Sequence, residues 1–158
     1  MSTHVLETFL GVPLHPLMIH TAVVFVPLLV LAALAYALVP GLRPRVGWVL
    51  VGLAVIAPLC TLLSKLSGDA FRARLARHGA SGSLLSLVDA HRHFGTILVY
   101  VVAALGVVAL LLVLLPAARQ SKPVSLTLVV IAVGLSLVSA YYVFRTGDSG
   151  AHIAWSGS

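Results

Sequence analysis

The chain has 158 residues, 60% of them hydrophobic and only 9% charged, and its formal net charge is +6. Soluble domains carry about 25% charged residues, so this composition excludes an ordinary water-soluble core. The basic residues sit in loops and at the ends of apolar runs, which favours anionic lipid headgroups over nucleic acid as their counterpart.

The N-terminal MSTHVLETF has no basic region ahead of an apolar run and is not expected to act as a cleavable signal peptide. Four apolar runs follow, each close to the roughly 20 residues a bilayer core requires: Pro16–Val39, Val46–Leu66, Phe94–Leu115 and Val124–Phe144. None contains Asp or Glu, and Lys65 stands at an end, where its stem can reach the interface. The connections Pro40–Arg45 and Pro116–Pro123 are short and open with proline, a helix stop. The middle connection, Ser67–Arg92, is longer. Within it, DAFRARLARH (Asp69–His78) spaces Phe71 and Leu75 four apart, a pattern for a short helix in the interface or a continuation of the second span. The sequence therefore predicts one domain, 1–158. It is an all-α integral membrane four-helix bundle with both termini on the same side and a short interfacial helix between spans two and three.

Membrane helices associate through small residues and polar contacts. Span four offers Ala132, Ser136 and Ala140 with Gly134 and Ser139, span three Gly95 and Ala103, and span two Gly52. Pro27 and Pro58 each leave a carbonyl one turn earlier without its donor. No internal repeat stands out.

Four spans place all seven histidines (His4, His15, His20, His78, His91, His93 and His152) on one membrane face. All four acids (Glu7, Asp69, Asp89 and Asp148) share it. The other face holds only the short loops with Arg43, Arg45, Arg119 and Lys122. The positive-inside rule is divided: by raw count the histidine face is inside, and by density the short loops are.

His20 lies one turn inside span one, and an ionisable group at that depth is a functional candidate. His15 precedes Pro16 and is expected just outside the helix. His91 and His93 are two apart, so at most one faces inward. Gly95, one turn below His91, leaves clearance on that side and selects His91. His93 pairs by spacing with Asp89. Asp69 and Asp148 each follow a short glycine- or serine-rich stretch, where they can orient an imidazole, ligate an ion or cap a turn.

GVPLHPLMIH (Gly11–His20), the triplet Ser67-Gly68-Asp69, His91 with Gly95, and RTGDSGAHIAW (Arg145–Trp155) together resemble the bacterial membrane proteins grouped as domain of unknown function 2231. The similarity runs from about Gly11 to Trp155. Some members of that family are joined to a Rieske iron–sulfur domain, which implies work near electron transfer. By motif match the resemblance carries over His15, His20, Asp69, His91 and Asp148. Members have histidine where this chain has Asp148. No Rieske domain is present, so a redox partner is expected on a separate chain, in a bacterial cytoplasmic membrane.

Two chemistries follow. The first is a b-type haem in one-electron transfer, with His20 and His91 as axial ligands, Gly95 clearing space, and Arg145, Arg72 or Arg92 meeting the propionates. The second is a single zinc or non-haem iron ion held by His15, His20, His91, Asp69 and Asp148. A third reading is a scaffold or accessory subunit whose small-residue faces bind another membrane protein or a further copy. A hydrolase lacks its Gly-x-Ser-x-Gly motif, and a transporter lacks paired mid-depth charges.

Overall fold

The computed structural model describes residues 8–9, 12–115 and 121–155; His4, Glu7 and Arg119 lie outside them. Two short strands, β1 (Thr8–Phe9) and β2 (Val12–Pro13), pair antiparallel ahead of the helices. The bundle consists of α1 (Leu14–Leu38), α2 (Arg43–Arg77), α3 (Gly82–Leu114) and α4 (Lys122–Trp155). All four are long and apolar enough to cross a membrane.

Each helix covers its expected span to within one residue and runs beyond it at one end or both. Lipid thickness limits how long a segment must be apolar, not how long it can stay helical. α3 starts at Gly82 rather than Phe94, and α4 continues to Trp155 rather than stopping at Phe144. The Asp69–Arg77 segment forms the last turns of α2, not a separate helix. No breaker divides it from the span, and a Lys65–Asp69 ion pair at 2.6 Å bridges the junction. Only residues 78–81 connect α2 to α3. There Gly79 takes φ +75°, which a glycine adopts without strain, and the Ser81 hydroxyl accepts from the Leu84 amide at 3.3 Å to start the next helix. α1 likewise starts before Pro16, at Leu14, so His15 belongs to its first turn. A proline there breaks no bond, because first-turn amides have no intrahelical acceptor.

At the other end of the bundle Arg43 closes α1. Its Nε donates to Tyr36 O at 3.1 Å, and its guanidinium lies 5.6 Å from the centre of the Tyr36 ring. A cation on the last carbonyls suits the negative end of the helix dipole.

The helices form a ring: α1 packs on α2, α2 on α3, α3 on α4, and α4 closes on α1, with α1 and α3 on a diagonal. The core is Val26, Leu29, Leu50, Leu105, Val102 and their small neighbours Ala33, Ala57 and Ala109. The tightest approach is between α2 and α3. Pro58 has no amide proton, so the Ala54 carbonyl one turn earlier loses its helical donor. Gly106 of α3 covers that carbonyl: a Cβ added at Gly106 would lie 2.6 Å from Ala54 O and 3.1 Å from Pro58 Cγ. Only a glycine Cα can sit so close, and Cα–H···O contacts recur at such helix crossings.

On α4, Ala132, Ser136 and Ser139 are buried, whereas Gly134 and Ala140 are exposed. Neither the Ser136 nor the Ser139 hydroxyl has a hydrogen-bond partner, so their contribution here is small size. An unpartnered buried hydroxyl is destabilising. Ser136→Ala and Ser139→Ala should therefore each raise stability by about 1 kcal/mol, measured as a later unfolding midpoint in detergent; a loss of stability in both would refute this.

Candidate functional site

His15 turns its ring toward α2. Its Nδ1 lies 3.1 Å from the Ser64 carbonyl oxygen and 3.2 Å from Ser67 Oγ. A carbonyl only accepts, so Nδ1 carries the proton and Nε2 keeps its lone pair. Ser67 Oγ donates to Ser64 O, and Ser64 Oγ donates to Met18 O, each at 2.9 Å, the second bond tying α2 back to α1. The ring rests against bare backbone: a Cβ at Gly68 would meet His15 Cε1 at 3.0 Å.

His91 repeats this arrangement on the second pair of helices. Its Nδ1 lies 2.9 Å from Ser149 Oγ. Ser149 gives its own proton to Thr146 O at 3.1 Å, so its oxygen accepts from Nδ1–H and the Nε2 of His91 is again unprotonated. A Cβ at Gly150 would meet His91 Cε1 at 3.1 Å. Each hairpin, α1–α2 and α3–α4, thus holds one histidine of its first helix on a Ser-Gly pair near the end of its second: Ser67-Gly68 and Ser149-Gly150. This correspondence is an internal repeat too sparse to stand out in the chain.

The two imidazoles meet. Their centres are 6.3 Å apart and their planes cross at 74°. Phe71 flanks His15 at 6.2 Å, with planes 22° apart. His15 precedes the span that starts at Met18. Burial, and then the neighbouring His91, push its pKa below the ordinary 6.5, against the opposing pull of the Ser64 carbonyl and Asp69. The His15 ring is accordingly neutral near pH 7.

His15, rather than His20, is therefore the neighbour of His91. Five residues on an α-helix turn through about 500°, so His15 and His20 point roughly 140° apart. With His15 turned inward, His20 is exposed. Gly95 faces α4, where its Cβ would meet Thr146 Cγ2 at 3.9 Å, an ordinary contact. Arg145 is exposed and lies over the Phe94 ring at 5.0 Å. Asp148 is exposed within α4 and sits 3.7 Å from His152 Nε2, one turn on.

Asp69 is engaged by cations: Lys65 at 2.6 Å and Arg92 at 2.7 Å. Asp89 accepts from Arg72 Nε at 3.1 Å and Nη2 at 2.9 Å, and from Arg92 Nη1 at 3.0 Å. Asp89 thus serves two arginines, while His93 is exposed beside Phe94. The five charges form one chain between α2 and α3. Each link is partly solvated and contributes little alone. Among the described residues, no group of three or more His, Cys, Asp or Glu side chains converges to hold a metal ion.

The fold and this end of it define a class: a multi-pass membrane bundle of four helices with a clamped histidine pair. The profile of the DUF2231 family, described as a predicted membrane protein, matches residues 11–158, and the chain belongs to that family. No curated protein and no solved structure matches it.

Proposed function

We propose that the protein binds a b-type haem for one-electron transfer, which His15 and His91 would hold. The observation that carries this reading is the imidazole pair: both Nδ1–H groups are fixed on oxygen, both Nε2 lone pairs are left over, and the ring centres lie 6.3 Å apart. Ligating histidines typically donate their other N–H to a carbonyl or similar acceptor, which sets tautomer and orientation. With metal–nitrogen bonds of about 2.0–2.1 Å and roughly 1 Å from nitrogen to ring centre, this separation of the ring centres would be short enough for both rings to hold one metal atom.

Haem is favoured over a bare zinc or iron ion by the donor set. A bare-ion site takes three or four protein ligands, and the aspartates expected to supply them have other company: Asp69 is held by two cations and Asp148 is exposed. A macrocycle brings four nitrogens of its own and asks the protein for two. Bound there, haem supplies a one-electron couple whose potential follows from ligands and burial. The chain's part is to hold two neutral imidazoles, with Arg145 as a cation for propionate. The electron partner is a separate chain, and the setting a bacterial cytoplasmic membrane.

The test is an absorption spectrum of the purified protein, oxidised and reduced, with metal analysis. We expect a Soret band that shifts on reduction, is lost in His15→Ala and His91→Ala, and survives in His20→Ala. A colourless, folded protein with stoichiometric zinc or iron would replace haem by an ion. A colourless, metal-free one would leave the histidines as interhelical clamps.

A further inference from the structure

A shallow, solvent-open groove between α2 and α3 is lined by Arg72, Asp89, Arg92, His93 and Thr96 and offers about 500 Å³. It uses neither histidine of the clamped pair. We propose that this groove binds a phosphate group that carries negative charge with no cation of its own to offset it, the chemistry shared by an anionic phospholipid headgroup and free phosphate.

Charge is the first argument. The ion-pair chain sets three cations, Lys65, Arg72 and Arg92, against two carboxylates, Asp69 and Asp89, so every cation is paired but the chain as a whole keeps one net positive charge. The groove lining itself carries Arg72 and Arg92 with Asp89, while Asp69, shared with Lys65, meets Arg92 from beside it. A group with a single negative charge closes that balance.

Geometry is the second. Asp89 grips Arg72 through two nitrogens and Arg92 through a third, while Asp69 takes the remaining edge of Arg92. The carboxylates thereby hold both guanidinium groups, which share Asp89 Oδ1, with side chains about a third exposed. Guanidinium groups carry more N–H donors than these two carboxylates accept, and fixed forks match the oxygens of phosphate. Ordering cost is low because the carboxylates have already held the arginines in place.

Position is the third. The groove lies near the end of a membrane-spanning bundle, and basic pockets between such helices suit lipid headgroups. One turn further along α3 from Thr96 stands Tyr100, 72% exposed, and on α2 Leu66 is 39% exposed. Apolar surface therefore continues from the groove toward the hydrocarbon, where acyl chains would run.

The test measures retention of headgroup-labelled phosphatidylglycerol against phosphatidylcholine on the full chain in detergent, with millimolar inorganic phosphate as competitor. Neutralising Arg72 or Arg92 would change the ion-pair chain and the groove together, so the informative variant is His93→Glu, which adds negative charge at the rim and removes no member of that chain. His152→Glu, on α4 at the same end, controls for general charge. We expect a preference for phosphatidylglycerol of about fivefold, the size of one net charge near a membrane surface. It should be kept in His152→Glu and lost in His93→Glu. If inorganic phosphate abolishes that retention and itself raises the unfolding midpoint, phosphate recognition stands with a soluble source; if it does neither, the ligand is the lipid. Equal retention of both lipids with no effect of phosphate overturns the proposal, as does a preference that His93→Glu leaves unchanged.

Discussion

Gly106→Val should be the most damaging single substitution in the apolar part of the bundle. The added Cβ would stand 2.6 Å from the Ala54 carbonyl oxygen, and no rotamer change moves a backbone atom. Relief requires α2 and α3 to separate, which also uncovers the carbonyl that Pro58 leaves without a donor. Overpacking ordinarily costs about 1–3 kcal/mol, and a collision with backbone belongs at or above the upper end. We expect a large fall in the detergent unfolding midpoint or loss of the monodisperse species. Gly52→Ala, whose Cβ would meet nothing within 4 Å, should behave as wild type. Equal tolerance of both would show that this crossing is not as close as described.

The second large effect is expected at the two glycines beneath the imidazoles. Gly68→Val and Gly150→Val each put a branched side chain where a ring now lies, since even a Cβ would approach to 3.0 Å and 3.1 Å. Each should cost about 1–3 kcal/mol and move its histidine off the serine that orients it. In the haem reading, either variant loses most of its Soret absorbance. Alanine at either position asks the ring to give by a few tenths of an ångström and should produce a milder form of the same result. Gly147→Ala, with nothing within 4 Å, should leave both stability and spectrum unchanged. Wild-type behaviour in both valine variants would mean that the glycines do not define the imidazole positions.

The spans were legible because a bilayer imposes length and apolarity together. Their ends were not, because residues such as Arg72 to Arg77 are compatible with helix inside or outside lipid. His91 was correctly turned inward by spacing, although the glycine that matters most to its ring is Gly150, not Gly95. Depth along the helix points to His20, whereas rotation around it sets His15 beside His91. A helical wheel sets the two roughly 140° apart; which of them faces inward becomes clear only from the Ser-Gly pairs at 67–68 and 149–150 on the facing helices. Among the small residues, Ala132, Ser136 and Ser139 face the core, but Gly52 and Gly134 face outward and Gly106 was passed over. An all-apolar run gives no cue to which side of a membrane helix meets a neighbour, whereas Pro58, by stripping Ala54 of a donor, marked one side of α2 as needing cover. The pairing of Asp89 with His93 failed because Arg72, seventeen residues earlier in the chain, reaches it from another helix.

The lengths of α2 and α3 have a bearing on access. At 35 and 33 residues they extend about 50 Å, against a hydrocarbon core of about 30 Å. Arg43, Arg45 and the exposed Trp48 anchor one boundary near the start of α2. About 20 residues onward, the distance a bilayer allows, the chain reaches Lys65 and the first of the ion pairs. The overhang is therefore all at one end, and it forms a collar standing clear of the oil with the imidazoles inside it. A water-borne protein can dock on that collar without entering lipid, while any reactant dissolved in the hydrocarbon has to climb to the headgroup level to be met.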